Sequence, residues 1–139
     1  MSKDLVTLIS AKDLYEWCTL SKRDFVIIDL RVDDFNKGHI KGAWNFPTIG
    51  QFKDEDLIRL ATQLDSISKN FDCTHRTKVI FHCSSSRGRG PRVALQFKNY
   101  CDQNGCQDKY ESCVLVLGFN GWISLCEKEN NFDLISNTS

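Results

Sequence analysis

The chain has 139 residues, 18 acidic and 18 basic side chains, and no lysine- or arginine-rich block. This length builds one domain around one core, and the balanced charge argues against a general nucleic-acid or membrane surface. Neither a secretion signal nor an apolar stretch long enough to cross a bilayer is visible, so the expected setting is cytoplasmic or nuclear, without a membrane partner.

In chain order, Leu5 to Ile9 reads as a short strand. Ser10, three residues before Asp13, opens a helix running through Cys18. Phe25 to Leu30 is a near-continuous apolar run, the pattern of a strand buried on both faces. His39, within Gly38-His39-Ile40, reads as a packed turn residue. Trp44-Asn45-Phe46 is a brief strand. Leu57, Leu60, Ala61, Leu64 and Ile67 recur at helical spacing. Lys78 to His82 is a further strand. A helix follows, with Val93, Ala94, Phe97, Tyr100 and Cys101 on one face. Ser112 to Leu117 is the last strand, and a short helix surrounds Trp122. The polar residues after about 130 read as a loosely held tail. Strands alternate with helices, which predicts a single α/β domain over residues 1–139, its sheet mainly parallel. Such sheets bind ligands outside the carboxyl ends of their strands.

Seven cysteines are present, none in a C-x-x-C pair. That spacing predicts no zinc site and no other metal centre. Without a secretion signal, the thiols are expected to be reduced. Most should be small core residues, Cys113 among them. Cys101 and Cys106 flank a turn at Gly105. As thiols that resolve a second cysteine, they would need direct sulfur access.

The segment Cys83-Ser84-Ser85-Ser86-Arg87-Gly88-Arg89 carries the chemistry. It joins the strand ending at His82 to the helix entered through Gly90-Pro91, where proline's missing N–H is no loss. Backbone N–H groups at a helix start favour anions. Ser84, Ser85, Ser86, Arg87 and Gly88 are small or cationic residues that let such groups turn around one tetrahedral oxyanion. Cys83 is the expected nucleophile, its thiolate favoured by the helix start and by Arg89. Arg89 offers a planar fork for two oxygens of the anion. Arg87 and Arg92 are further cations of this segment, read more readily as facing solvent or a partner. His82 precedes the nucleophile, and adjacent strand residues face opposite ways. It is therefore a buried orienting residue rather than a base. Asp29 and Arg31 close the second strand and read as supporting residues, Asp29 bonding a neighbouring loop. A carboxylate in the anion site would raise the thiol pKa and repel the substrate.

These residues, with Asp29-Leu30-Arg31, Gly38-His39-Ile40-Lys41-Gly42-Ala43 and Gly118-Phe119-Asn120-Gly121-Trp122, resemble the rhodanese superfamily. The resemblance implies a five-stranded sheet with helices on both faces. The rhodanese sulfurtransferases have a shorter, six-residue loop. The seven residues here suit arsenate or phosphate rather than a single sulfur atom. Within the superfamily the chain is most similar to the eukaryotic arsenate reductases, through Lys78 to Cys83, Arg89 to Ala94 and Tyr110 to Val116. It is more distantly similar to the cell-division-cycle dual-specificity phosphatases. The first resemblance implies thiolate attack by Cys83 on arsenate, no bound cofactor, glutathione as reductant and glutaredoxin as partner. The second implies phosphate-ester hydrolysis through a cysteinyl-phosphate. A sulfurtransferase or a non-catalytic binding module fits less well. Two departures stand out. Leu117 occupies a position often held by Gly. The loop also lacks the carboxylate of the related phosphatases, and an ester's leaving alkoxide needs a proton more than arsenate's leaving water does. The reading therefore favours the reductase.

Overall fold

The computed structural model describes residues 6–20, 24–68, 76–84 and 88–137. Cys73, Ser85, Ser86 and Arg87 lie outside the described residues. The elements are β1 (Thr7–Ile9), α1 (Ala11–Thr19), β2 (Phe25–Asp29), β3 (His39–Ile40), β4 (Trp44–Asn45), α2 (Asp54–Ser68), β5 (Thr77–His82), α3 (Arg89–Asn104), β6 (Tyr110–Leu115), α4 (Gly118–Lys128) and β7 (Ile135–Ser136). Ser10 caps α1 as its position predicts, its hydroxyl accepting from the Asp13 N–H at 3.0 Å.

Five strands form a parallel sheet in the order β1-β6-β5-β2-β4. Alternation along the central strands feeds two cores. Val26, Ile28, Val79 and Phe81 face α2 and α3, where Leu60, Leu64, Val93 and Phe97 meet them. Ile27, Ile80 and Cys113 face α1 and α4, against Leu14, Trp122 and Cys126. Both faces are thus covered, which is why these strands read as unbroken apolar runs.

Two features depart from the sequence reading. Residues 131–137 do not form a loose tail: β7 pairs antiparallel with β3, His39 opposite Ser136 and Ile40 opposite Ile135. The Lys41 N–H donates to the Leu134 carbonyl (2.9 Å), and the Asn131 side-chain amide donates to the Tyr15 hydroxyl (2.8 Å). Polar side chains concealed a segment held by its backbone. His39 is likewise packed, but within β3 rather than a turn. It stacks on Phe35 of a 3-10 turn, Phe35–Lys37, with ring centroids 3.7 Å apart.

Candidate active site

β5 lies at the centre of the sheet, and Cys83 follows its last residue, buried at the carboxyl end. α3 starts six residues later at Arg89, with Gly88 as its N-cap and Pro91 in the first turn. The strand–loop–helix layout is as the sequence predicts. Its two ends, Cys83-Ser84 and Gly88-Arg89, are described; Ser85, Ser86 and Arg87 between them lie outside the described set.

A second helix braces the start of the loop. The N-cap of α4, Leu117, offers no side-chain cap, so its first N–H groups need other acceptors. The Phe119 N–H donates to the Cys83 carbonyl at 3.0 Å, and the Asn120 N–H to the Ser84 carbonyl at 2.9 Å. This approach leaves no room for a side chain at residue 118. A Cβ on Gly118 would lie 2.4 Å from the Cys83 carbonyl oxygen and 2.8 Å from that of Ser84. Leu117 itself adopts a left-handed conformation (φ 66°), which explains why glycine is the easier residue at that position. The N-termini of α3 and α4 therefore both adjoin the segment from Cys83 to Arg89, a placement that favours negative charge beside it.

Arg89 is tethered as well as cationic. Its Nη1 donates to the Thr48 carbonyl (3.2 Å) and lies 3.5 Å from that of Leu30. Leu30 in turn donates its N–H to the His82 carbonyl at 2.9 Å. These contacts set the guanidinium against the ends of β2 and β5 and restrict its plane. Arg92 Nη1 lies 3.5 Å from the Gly50 carbonyl, so the cation expected to face outward also leans on the 47–52 segment.

The supporting residues form one buried network. Asp29 and His82 are register partners on β2 and β5. The Asp29 carboxylate bonds the backbone of the loop that follows β2, as its position suggested, through the Arg31 N–H, and the Arg31 side chain engages it as well. It accepts from the Arg31 backbone N–H (2.9 Å), from Nε (3.1 and 3.2 Å) and from Nη2 (2.8 Å). Arg31 Nη2 also donates to the Gly38 carbonyl (2.6 Å), and the guanidinium lies 4.0 Å from the centre of the Phe119 ring. A buried carboxylate is tolerable only with such a partner. His82 is fully buried and donates from Nδ1 to the Cys83 carbonyl at 3.0 Å. Burial lowers its pKa, with Asp29 pulling the other way, so the imidazole is a neutral orienting group. The Cys83 carbonyl thus accepts from both His82 and Phe119.

The sequence reading identified neither the α4 N–H donors nor the carbonyls that hold Arg89. A signal for the first did exist: Leu117-Gly118-Phe119-Asn120 opens a helix without a Ser, Thr, Asp or Asn cap, so its N–H groups require acceptors from elsewhere.

The other cysteines are environments of a different kind. Burial pushes the Cys113 thiol up to about 12 and the Cys18 thiol up to about 11. Cys101 and Cys106 lie at the far end of α3, a length of roughly 24 Å for sixteen residues at 1.5 Å each, so neither is placed to resolve Cys83. Among the described residues no group of three or more His, Cys, Asp or Glu is arranged to hold a metal ion.

The family model for the rhodanese-like domain matches residues 10–125. The chain belongs to the rhodanese-like family. It is 37% identical over 131 residues to arsenical-resistance protein 2 of Saccharomyces cerevisiae, covering 94% of this chain and 98% of that protein. It is 29% identical over 126 residues to the CDC25-like phosphatase YCH1 of the same yeast, covering 86% and 83% of the two chains. Among solved structures, the As-Sb reductase from Leishmania major superposes with a TM-score of 0.73 at 25% identity, covering 94% of this rhodanese-like chain and 85% of that one. The resemblance read from the motifs is therefore a family membership, and the five-stranded sheet with helices on both faces is its fold.

Proposed function

We propose that this chain is a thiol-dependent arsenate reductase with Cys83 as nucleophile. The observation that carries the reading is the Cys83-to-Arg89 segment itself. A cysteine at the end of the central strand is followed, without an intervening carboxylate, by an arginine at a helix start. The 37% identity to the yeast arsenical-resistance protein supports the same reading. The helix termini and Arg89 bind and orient arsenate. The Cys83 thiolate attacks arsenic, forming an S–As bond as one oxygen leaves as water. Glutathione supplies two electrons as two thiols become one disulfide. Overall, one arsenic acid and two glutathione thiols give one arsenous acid, one glutathione disulfide and one water. Glutaredoxin is the proposed partner that clears the mixed thiol intermediate. This chemistry requires a reducing compartment, the cytoplasm or nucleus. No helix of the described residues is long and apolar enough to cross a membrane.

Phosphate-ester hydrolysis is the second reading, favoured by the likeness to the CDC25-like phosphatase. There Cys83 displaces the alcohol from phosphorus, and water then cleaves the cysteinyl-phosphate. The carboxylate Asp29 is buried and held by Arg31, so it is not presented to a leaving alcohol. Arsenite formation with glutathione and glutaredoxin, assayed beside p-nitrophenyl phosphate hydrolysis, separates the two. We expect arsenite formation to dominate and Cys83→Ser to lower it by on the order of a thousandfold or more. Efficient thiol-independent ester hydrolysis without arsenite formation would overturn the reductase reading.

A further inference from the structure

A second thiol site lies at the opposite end of α3. The helix stops at Gly105 in left-handed conformation (φ 74°), and the Cys106 N–H then donates back to the Cys101 carbonyl at 3.0 Å. This helix closure sets the side chains of the two residues it joins against each other. Here both are cysteines. Both are buried, and neither is in a disulfide. Cys101 also lines a pocket of about 110 Å³, together with Arg76, Lys98, Asp102, Gln107 and Glu111. Arg76 and Glu111 sit at the amino ends of β5 and β6, so this pocket is on the side of the sheet remote from Cys83.

We propose that Cys101 and Cys106 form a chelating dithiol for trivalent arsenic. Thiol sulfur is the protein ligand that selects soft, thiophilic elements. Arsenous acid is small, neutral near pH 7 and hydroxylated, so the pocket, lined by both charge signs, admits it to Cys101; Cys106 does not line that pocket and is reached through Cys101. Binding is substitution without redox change. Two S–As bonds form and two As–OH bonds break, each thiol proton leaves with a hydroxide as water, and arsenic keeps its third hydroxyl. Because the proton departs with the hydroxide, a thiol that burial keeps protonated remains competent. A biological use for the site rests on the reductase reading, since trivalent arsenic is that reaction's product; the binding itself does not depend on it.

The probe is phenylarsine oxide, which bridges two thiols with loss of one water. The Cys83→Ser chain removes the nucleophile from the assay. At one equivalent, mass spectrometry of the folded chain should show one phenylarsenic group per molecule. Adding Cys101→Ala or Cys106→Ala should each abolish that adduct. With both thiols present, the arsenical should protect Cys101 and Cys106, but not Cys18 or Cys113, from maleimide during unfolding. No adduct, an adduct that survives both alanine variants, or protection at other cysteines overturns the proposal. None of these readouts involves arsenate turnover, so failure of the dithiol and failure of the reductase reading are separable.

Discussion

The two ends of α3 place cysteines in opposite electrostatic settings. At the amino end, Cys83 lies where the N-termini of α3 and α4 converge, with Arg89 tethered beside the strand ends. At the carboxyl end, Cys101 sits among helix carbonyls. Burial, the neighbouring Cys106 thiol, and Asp102 and Asp65 all push its thiol up. A single helix dipole acts on both: it stabilises negative charge at one end and opposes it at the other. One helix thus keeps the proposed nucleophile apart from a thiol that burial holds protonated.

The largest test of this contrast is Arg89→Lys. Lysine keeps the charge but lacks the planar fork that bonds the Thr48 carbonyl while leaving other donors for the anion. We expect arsenite formation to fall about a hundredfold, the scale of losing one aimed oxyanion donor, with little change in melting temperature. Unchanged turnover would remove Arg89 from the anion site.

Glycines at the two ends sharpen the comparison. Gly118 and Gly105 both have positive φ (55° and 74°), but an added Cβ would strike the Cys83 and Ser84 carbonyls only at Gly118; at Gly105 nothing lies within 4 Å. Gly118→Ala should destabilise by about 2 kcal/mol or more through combined strain and crowding and lower activity by shifting the Cys83 carbonyl. Gly105→Ala should cost about 1 kcal/mol from its conformation alone, with turnover intact. Denaturant titration and a turnover assay on both variants check this, and equal activity losses would refute the bracing role of α4.

The thiols at a distance from the loop make a pH prediction. An acid whose folded pKa is raised ionises first in the unfolded chain, so stability falls as pH rises above the ordinary value. For Cys18 and Cys113 that window runs from 9.0 to about 11 and about 12 respectively. Below it these thiols stay protonated in the folded chain, so iodoacetamide at pH 7 should modify Cys83 well before them. Peptide mapping decides the order, and early labelling of Cys113 would contradict it.

The smallest expected effect is a gain. Leu117 is mostly exposed and holds φ at 66°. Leu117→Gly relieves that strain without emptying the core, and should stabilise by about 1 kcal/mol, read as a higher denaturant midpoint with activity retained.

Much of this was legible before folding was considered. Apolar runs marked β2 and β5, spacing marked α2 and α3, and the contiguous order strand, Cys83, small loop, Arg89, helix marked the site. β3 and β7 were not legible, because each is two residues long and is defined by its partner rather than by any pattern of its own. For Asp29 the loop N–H was legible, but the Arg31 guanidinium folding back onto the same carboxylate was not, since a side chain's direction is set by packing.

The amino-acid sequence alone determined the α/β order, with Cys83 at a strand end and Arg89 at the helix start six positions later, because each is a local pattern of hydrophobic period and helix-start chemistry. Tertiary structure decided which groups hold that site: the Phe119 and Asn120 N–H groups on the Cys83 and Ser84 carbonyls, and the Thr48 carbonyl on Arg89. Backbone donors and acceptors are the same at every such position along a chain, and only packing selects which of them meet.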